Sequence, residues 1–255
     1  MLFDLATGTT QPVFGQTVET ANCYQLAGQT VTLSAWVATS DSSAVALRLE
    51  YSTAVDNPSN GSWTTITSTS GSNNVSATST MTRKSLSFVI PSTALTLRVI
   101  IYTSGNVSTG TTLTMTGAQL ELGSVATPFS RAGGTLSGEL DACMRYYYRF
   151  VGSQTSGSTI ANICNASMQS ASAAVGIFEY PVQMRVAPSF SVNASATGIL
   201  QISNGFAYPS PLTMLTSDLK RAQLKETTSG QTTGFACMLG LSSSSNDYFE
   251  LSAEL

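Results

Sequence analysis

The sequence contains no histidine and little charge. Without an imidazole there is no Ser-His-Asp or Cys-His nucleophile, no HExxH zinc site and no side chain that titrates unperturbed near neutrality. Charged residues make up 10% of the 255 positions, against roughly 25% in ordinary soluble domains. Only three are lysine, and the formal net charge is −3. Nucleic-acid binding, which needs clustered cations along a phosphate backbone, is therefore not expected. Long apolar runs are missing too. Stretches such as VIIY at 99–102 fall far short of the roughly 20 residues of a bilayer-spanning helix, so membrane insertion is not expected. No basic segment followed by an apolar one, the mark of a secretory leader, is visible.

Serine and threonine take the place of charge, 38 and 35 of the residues. A chain this weakly charged is poorly protected against association. Two compatible readings follow: a hydroxyl-rich surface carries the solubility, or much of the surface is buried in an oligomer. Cys23, Cys143, Cys164 and Cys237 lack CxxC spacing. They read as four buried thiols, with two disulfides as the alternative.

Alternation with a period of two runs through most of the chain. Val31, Leu33, Ala35 and Val37 alternate with Thr32, Ser34, Trp36 and Ala38. The same pattern recurs at 45–51, at 85–90 and at 95–102, while Leu113 and Met115 sit among threonines. Turn-rich stretches (DNPSNG at 56–61, TSTSGSNNVSATST at 67–80, TSGNVSTG at 103–110) separate the runs. One apolar face per strand means antiparallel sheets packed on one side. Many short strands between such turns mean a sandwich or jelly roll. The periodicity breaks at GSVATPFSRAGGTLSG, 123–138, a linker signal. Beyond it Leu140, Cys143 and Met144 fall at helical spacing, so one or two helical turns are expected before a strand starting near Tyr146. Further strands are expected at 160–168, 174–180, 189–194, 199–206, 222–227, 234–241 and 248–253, with SDLKRAQLKE at 217–226 a turn plus strand rather than a helix. The fold class is all-β: two antiparallel β-sandwich, jelly-roll-like domains in tandem, 1–127 and 138–255, joined by a linker at 128–137.

Three segments carry a resemblance. GAQLELGSVATPFSR (117–131) resembles the end of a jelly-roll module, itself similar to carbohydrate-binding modules, found in many phage tail-fibre and minor structural proteins. GELDACMRYYYRF (138–150) resembles the acidic-Leu-x-x-Cys-x-Arg-Tyr-Tyr signature that follows it in that family at the same distance. Here Gly138 stands at the first acidic position, and Met144 where a polar residue is commoner. FEYPVQMRVAPSFSV (178–192) resembles the fibre pattern of Pro, apolar positions, Met-Arg and Ala-Pro before a strand, and the terminal DYFELSAEL resembles an ending common in the same proteins. Upstream, GQTVTLSAWVATS (28–40) resembles the module's early strand, with less chain before it than a full module has. The first domain is accordingly expected to be N-terminally truncated and the chain to be the distal part of a longer fibre. The resemblance implies a virion structural protein made in the host cytoplasm: a homotrimeric tail-fibre or receptor-binding protein, joined to upstream fibre or virion proteins, that attaches to host surface glycan. The alternatives are a capsid- or tail-attached fibre or decoration protein with a purely structural role, and a carbohydrate-binding module cut from an enzyme.

Glycan recognition needs aromatic faces for sugar C–H groups and planar polar groups for hydroxyls. Alternation sets Trp36, Arg48, Glu50, Arg98 and Tyr102 opposite the apolar faces. If these strands share a sheet, Trp36, Arg48, Arg98 and Tyr102 are the candidate carbohydrate-binding residues. Otherwise the face packs on a neighbouring subunit or domain, with Arg98 and Arg48 paired to Glu121 and Glu50. Trp63, at a loop-to-strand junction, reads as a core-closing plug before a ligand platform. MRYYYRF is the densest aromatic–cationic stretch: Tyr146 and Tyr148 share one face, Tyr147 shares the other with Arg145 and Arg149, and all five are candidates for an oligomer interface. Arg185 is expected to pair with Glu179. Asp41 with Glu50, or Glu179 with Glu250, are conceivable pairs for glycoside hydrolysis. No motif selects either, so no enzymatic activity, cofactor or metal is expected.

Overall fold

The computed structural model describes residues 2–4, 12–40, 45–107, 110–152, 160–193, 198–202, 205–207, 212–242 and 247–254. The chain divides into two compact units, Met1–Ser130 and Arg131–Glu254. It is nearly all β, and every strand pairing among the described residues is antiparallel.

In the first unit the strands are β1 (Leu2–Asp4), β2 (Val13–Val18), β3 (Thr30–Thr39), β4 (Val45–Ser52), β5 (Thr64–Ile66), β6 (Asn74–Val75), β7 (Thr82–Val89), β8 (Thr96–Thr103) and β9 (Thr112–Leu122), with one helical turn, α1 (Thr20–Cys23). One sheet runs β1-β9-β3-β7, and the other runs β2-β8-β4-β5 with β6 also on β4. The alternation explains the packing. Val31, Leu33, Ala35, Val37, Phe88 and Leu113 of one sheet close on Val45, Leu47, Leu49, Leu97 and Ile101 of the other in a single core. Each large aliphatic side chain buried there contributes about 1.5–3 kcal/mol. The result is a jelly-roll-like sandwich.

The outer face of the four-stranded sheet is polar, and a strap lies on it. Residues 124–130 turn back over β9 and are pinned there. Glu121 accepts from the backbone N–H of Thr127 (3.0 Å) and from its hydroxyl (2.6 Å), and Gln119 accepts from the N–H of Ser130 (2.9 Å). Phe129 comes down on Gly117 beside Trp36. Gly117 has φ +57°, and a Cβ there would lie 3.2 Å from Trp36 Cδ1. Only glycine meets both the left-handed backbone and the close approach without strain. The β3–β9 register shifts at this point, between Ser34 and Trp36.

In the second unit α2 (Leu136–Met144) precedes β10 (Tyr147–Val151), β11 (Ile160–Ser170), β12 (Ala173–Glu179), β13 (Ser189–Val192), β14 (Gly198–Ile202), β15 (Gly205–Ala207), β16 (Thr213–Ser217), β17 (Arg221–Thr227), β18 (Ala236–Ser242) and β19 (Tyr248–Ser252). A seven-stranded sheet, β15-β14-β18-β11-β12-β17-β16, and a three-stranded sheet, β10-β19-β13, share one core. Phe249 sits among aromatic rings, stacked on Phe150 (centroids 5.2 Å apart) and edge-on to Phe178 (5.4 Å). Thr135 caps α2 by accepting from the N–H of Gly138 (3.1 Å). Gly138 approaches Gly133 so closely that a Cβ would fall 2.3 Å from the Gly133 carbonyl oxygen. That contact accounts for a glycine where the resembled family has an acid.

Several expectations change. The helix is longer than one or two turns and opens at Leu136, inside the expected linker, while residues 128–130 belong to the strap. The expected strand at 199–206 is a hairpin of β14 and β15; its turn, like Ala194 at the end of another expected strand, lies outside the described residues. The short strands β1, β2, β5, β6 and β16 were not legible. Cys23 and Cys237 are buried and Cys164 half-buried, but Cys143 is exposed on α2, which buries none of its residues, and all four are free thiols.

Candidate functional site: the outer face of the five-stranded sheet

Strand register aligns a row of polar side chains across β4 and β8. Glu50 pairs with Arg98 and Thr65, Arg48 with Ile100, and Ala46 with Tyr102. Paired residues on antiparallel strands point the same way, so these side chains leave the core together. Glu50 is only 5% exposed. Its Oε1 lies 3.0 Å from Arg48 Nη2, and its Oε2 accepts from Arg98 Nε at 2.8 Å and again from Arg98 Nη2. Thr65 Oγ1 adds a 3.4 Å bond to Oε1. One buried carboxylate thus fixes two guanidinium groups.

Each guanidinium also lies over an aromatic ring. Arg98 Cζ is 4.6 Å from the Trp63 ring centre, and Arg48 Cζ is 4.8 Å from that of Tyr102, whose hydroxyl accepts from Arg48 Nη1 at 3.5 Å. Such cation–π contacts are worth about 0.5–2 kcal/mol, more as water is excluded. The DNPSNGSW loop sets Trp63 in place: Asn57 Nδ2 donates to the Ser62 carbonyl (2.9 Å), Trp63 Nε1 donates to that of Pro58 (3.2 Å), and Arg98 Nη1 donates to that of Ser59 (2.7 Å). Arg48 Nε is buried without a hydrogen-bond partner among the described residues. Chemically the face offers fixed donors flanked by two half-buried rings. The central carboxylate is committed to holding them.

Of the four expected glycan residues, the structure brings Arg48, Arg98 and Tyr102 together but not Trp36. Trp36 stands on β3 in the other sheet, 40% exposed, opposite Arg83 and beside Phe129. The aromatic partner of Arg98 is Trp63, which is therefore neither a core plug nor remote from the polar row. Sequence reasoning missed it because a loop residue carries no periodicity. Glu121 serves the strap, and both arginines share Glu50.

The interface candidates also divide. Tyr148 points into the second unit's own core, 6.1 Å from Phe178, because the inward face of β10 falls on Tyr148 and Phe150. Tyr147 and Arg149 lie on the outer face, where both donate to Glu250, and Arg149 Cζ lies 4.2 Å from the Tyr248 ring centre. These bonds, that of Tyr147 foremost, hold the Glu250 carboxyl below its usual pKa. Arg145 and Tyr146 end α2, where their carbonyls accept from the N–H groups of Arg185 (2.8 Å) and Ala253 (2.7 Å). Arg185 Nε donates to the Ala253 carbonyl (2.9 Å), not to Glu179. The MRYYYRF, MRVAP and terminal segments meet at this junction. Of the conceivable carboxylate pairs, Asp41 lies outside the described residues, and Glu50 and Glu250 are both bound by arginine.

No protein-family model matches the chain, and no curated protein matches it. Among solved structures it is similar to a Bacteroides thetaiotaomicron VPI-5482 protein provisionally assigned as sugar-binding, at 10% identity and TM-score 0.30, over 47% of this chain and 71% of that one. It is also similar to recombinant discoidin II of Dictyostelium discoideum, at 13% identity and TM-score 0.23, over 88% and 73%. A third is the N-terminal CBM22-1-CBM22-2 tandem domain from Paenibacillus barcinonensis Xyn10C, at 10% identity and TM-score 0.29, over 94% and 83%. At TM-scores this low the similarity carries no argument about what the chain does.

Proposed function

We propose that the chain is the distal, receptor-binding part of a bacteriophage tail fibre, a homotrimeric virion protein whose first unit holds a host surface glycan on the outer face of its five-stranded sheet. The observation that carries the glycan reading is the Arg48–Glu50–Arg98 triad set between Trp63 and Tyr102. Sugar hydroxyls take hydrogen bonds from the two guanidinium groups, and the exposed parts of the two rings take sugar C–H groups. Glu50 holds the donors in place before the ligand arrives, which lowers the cost of ordering them on binding. The virion part of the reading rests on the resemblance of the segments at 117–131, 138–150 and 178–192. The role is binding, without catalysis. The ion-paired triad also suits a purely structural fibre, in which these bonds only stiffen the sheet.

Labelled protein incubated with a panel of bacterial strains tests the reading. Binding to a subset of strains is expected, with Trp63→Ala weakening it about tenfold, roughly 1.4 kcal/mol, at an unchanged fold. Binding to no strain would leave the purely structural role, and equal binding by Trp63→Ala would take the ligand off this face.

A further inference from the structure

Two cavities of about 370 Å³ each adjoin in the second unit. Glu179, Tyr180, Asp218, Lys220 and Arg221 line one, Asp141 and Arg145 line the other, and both share Val182 and Gln183. Their walls are held by the backbone. Where β12 ends, the N–H of Tyr180 donates to the Lys220 carbonyl (2.8 Å) and that of Met184 to the Leu219 carbonyl (2.8 Å), so residues 181–183 loop out between two clamps. The opposing turn is closed by Asp218, whose Oδ1 accepts from the N–H groups of Lys220 (2.7 Å) and Arg221 (3.0 Å). On the far side the N–H of Arg185 ties this loop to the end of α2 through the Arg145 carbonyl (2.8 Å).

Tyr180 is 8% exposed, its ring packs in the unit's core, and its hydroxyl, closed off from solvent, has no partner in hydrogen-bonding geometry among the described residues. The Ser217 hydroxyl lies beside it and donates to the Pro188 carbonyl at 3.5 Å. Burial, with the Asp218 charge beside it, pushes the phenol up to about 12, so it stays a donor at any physiological pH. A buried donor left unmatched is costly, but with no accessible surface this hydroxyl lies beneath the first cavity and is not a contact for a ligand. The lining otherwise balances its charges: Glu179 and Asp218 against Lys220 and Arg221, then Asp141 against Arg145. Such a lining selects neither an anion nor a cation, and it is too polar for an apolar ligand. Alternating carboxylate, amide and cationic groups suit vicinal hydroxyls, which donate and accept at once. Each volume lies at the lower end of small-ligand sites, roughly 300–1,000 Å³.

We propose that the cavity pair around residues 181–183 is a second saccharide site, taking two linked uncharged sugar residues, one on each side of Gln183. It does not depend on the polar face of the first unit. The test is an amide-resolved NMR titration of the full chain with maltose, cellobiose, lactose and chitobiose at millimolar concentration. At least one disaccharide is expected to move the amides of Tyr180, Gln183 and Lys220 saturably. Gln183→Ala should then weaken that binding about tenfold, while Tyr180→Phe and Trp63→Ala leave it unchanged. The proposal is overturned if none of the four moves these amides, or if Gln183→Ala, with a native spectrum, binds like the parent.

Discussion

Glu226 points from β17 into the core of the second unit, across from Ala174 on β12, fully buried and with neither carboxylate oxygen hydrogen-bonded among the described residues. Burial pushes its pKa up to about 8, whereas an unfolded glutamate titrates near about 4.3. The native chain therefore binds more protons between these values, and its stability falls as pH rises through that window, then levels off above the upper one. At about 1.4 kcal/mol per pH unit, Glu226→Gln should stabilise the unit by roughly 1–4 kcal/mol near the upper limit, with the gain fading as pH falls toward the lower. Urea denaturation across this range checks it, and a difference that does not vary with pH would count against a proton held on Glu226. Glu50 is the opposite case, a buried carboxylate fully matched. Removing one member of a buried ion pair costs about 3–5 kcal/mol. The arginines retain side-chain exposures of 29% and 21%, so Glu50→Gln should cost somewhat less, roughly 2–3 kcal/mol. Chemical denaturation of the variant should show it.

At the scale of elements, the strap gives the segment at 117–131 a physical purpose. Gln119 and Glu121 hold its returning backbone, and Gly117 makes room for Phe129 and Trp36. Gly117→Ala meets both a left-handed backbone and a Cβ contact of 3.2 Å, so it should cost about 1–2 kcal/mol. Trp36→Ala should likewise lower the melting temperature by several degrees and leave strain binding as it was. Calorimetry beside the binding assay separates the two, and a specific loss of binding in Trp36→Ala would return that residue to the glycan site. The strands themselves were largely legible because their alternation is local. Five short ones were not, since two to six residues without a clean apolar rhythm differ little from loop. α2 was foreseen only in its last turns, because Leu136 stands alone among glycine, serine and threonine.

For the whole molecule the proposed trimer is the open expectation. The second unit leaves Leu136, Leu140, Val151 and Phe235 between 46% and 71% exposed, in a chain with few charges to keep copies apart. Light scattering should return three times 26.6 kDa, about 80 kDa, equally at low and high salt, because apolar contacts are not screened. A species of single-chain mass at micromolar concentration would refute it and leave the scarcity of charge unexplained.

Composition and period-two alternation sufficed for the fold class and for the core faces of β3, β4, β7 and β8, because both follow from the covalent geometry of a strand. They also singled out Arg48, Arg98 and Tyr102 as outward-facing. Which outward residues become neighbours was settled only by tertiary structure. Sheet membership is a long-range pairing that no local pattern encodes, and it put Trp36 and Arg98 on different sheets. A loop closed by Asn57, Pro58 and Ser59 then carried Trp63, the ring no alternation could have selected, over the guanidinium of Arg98.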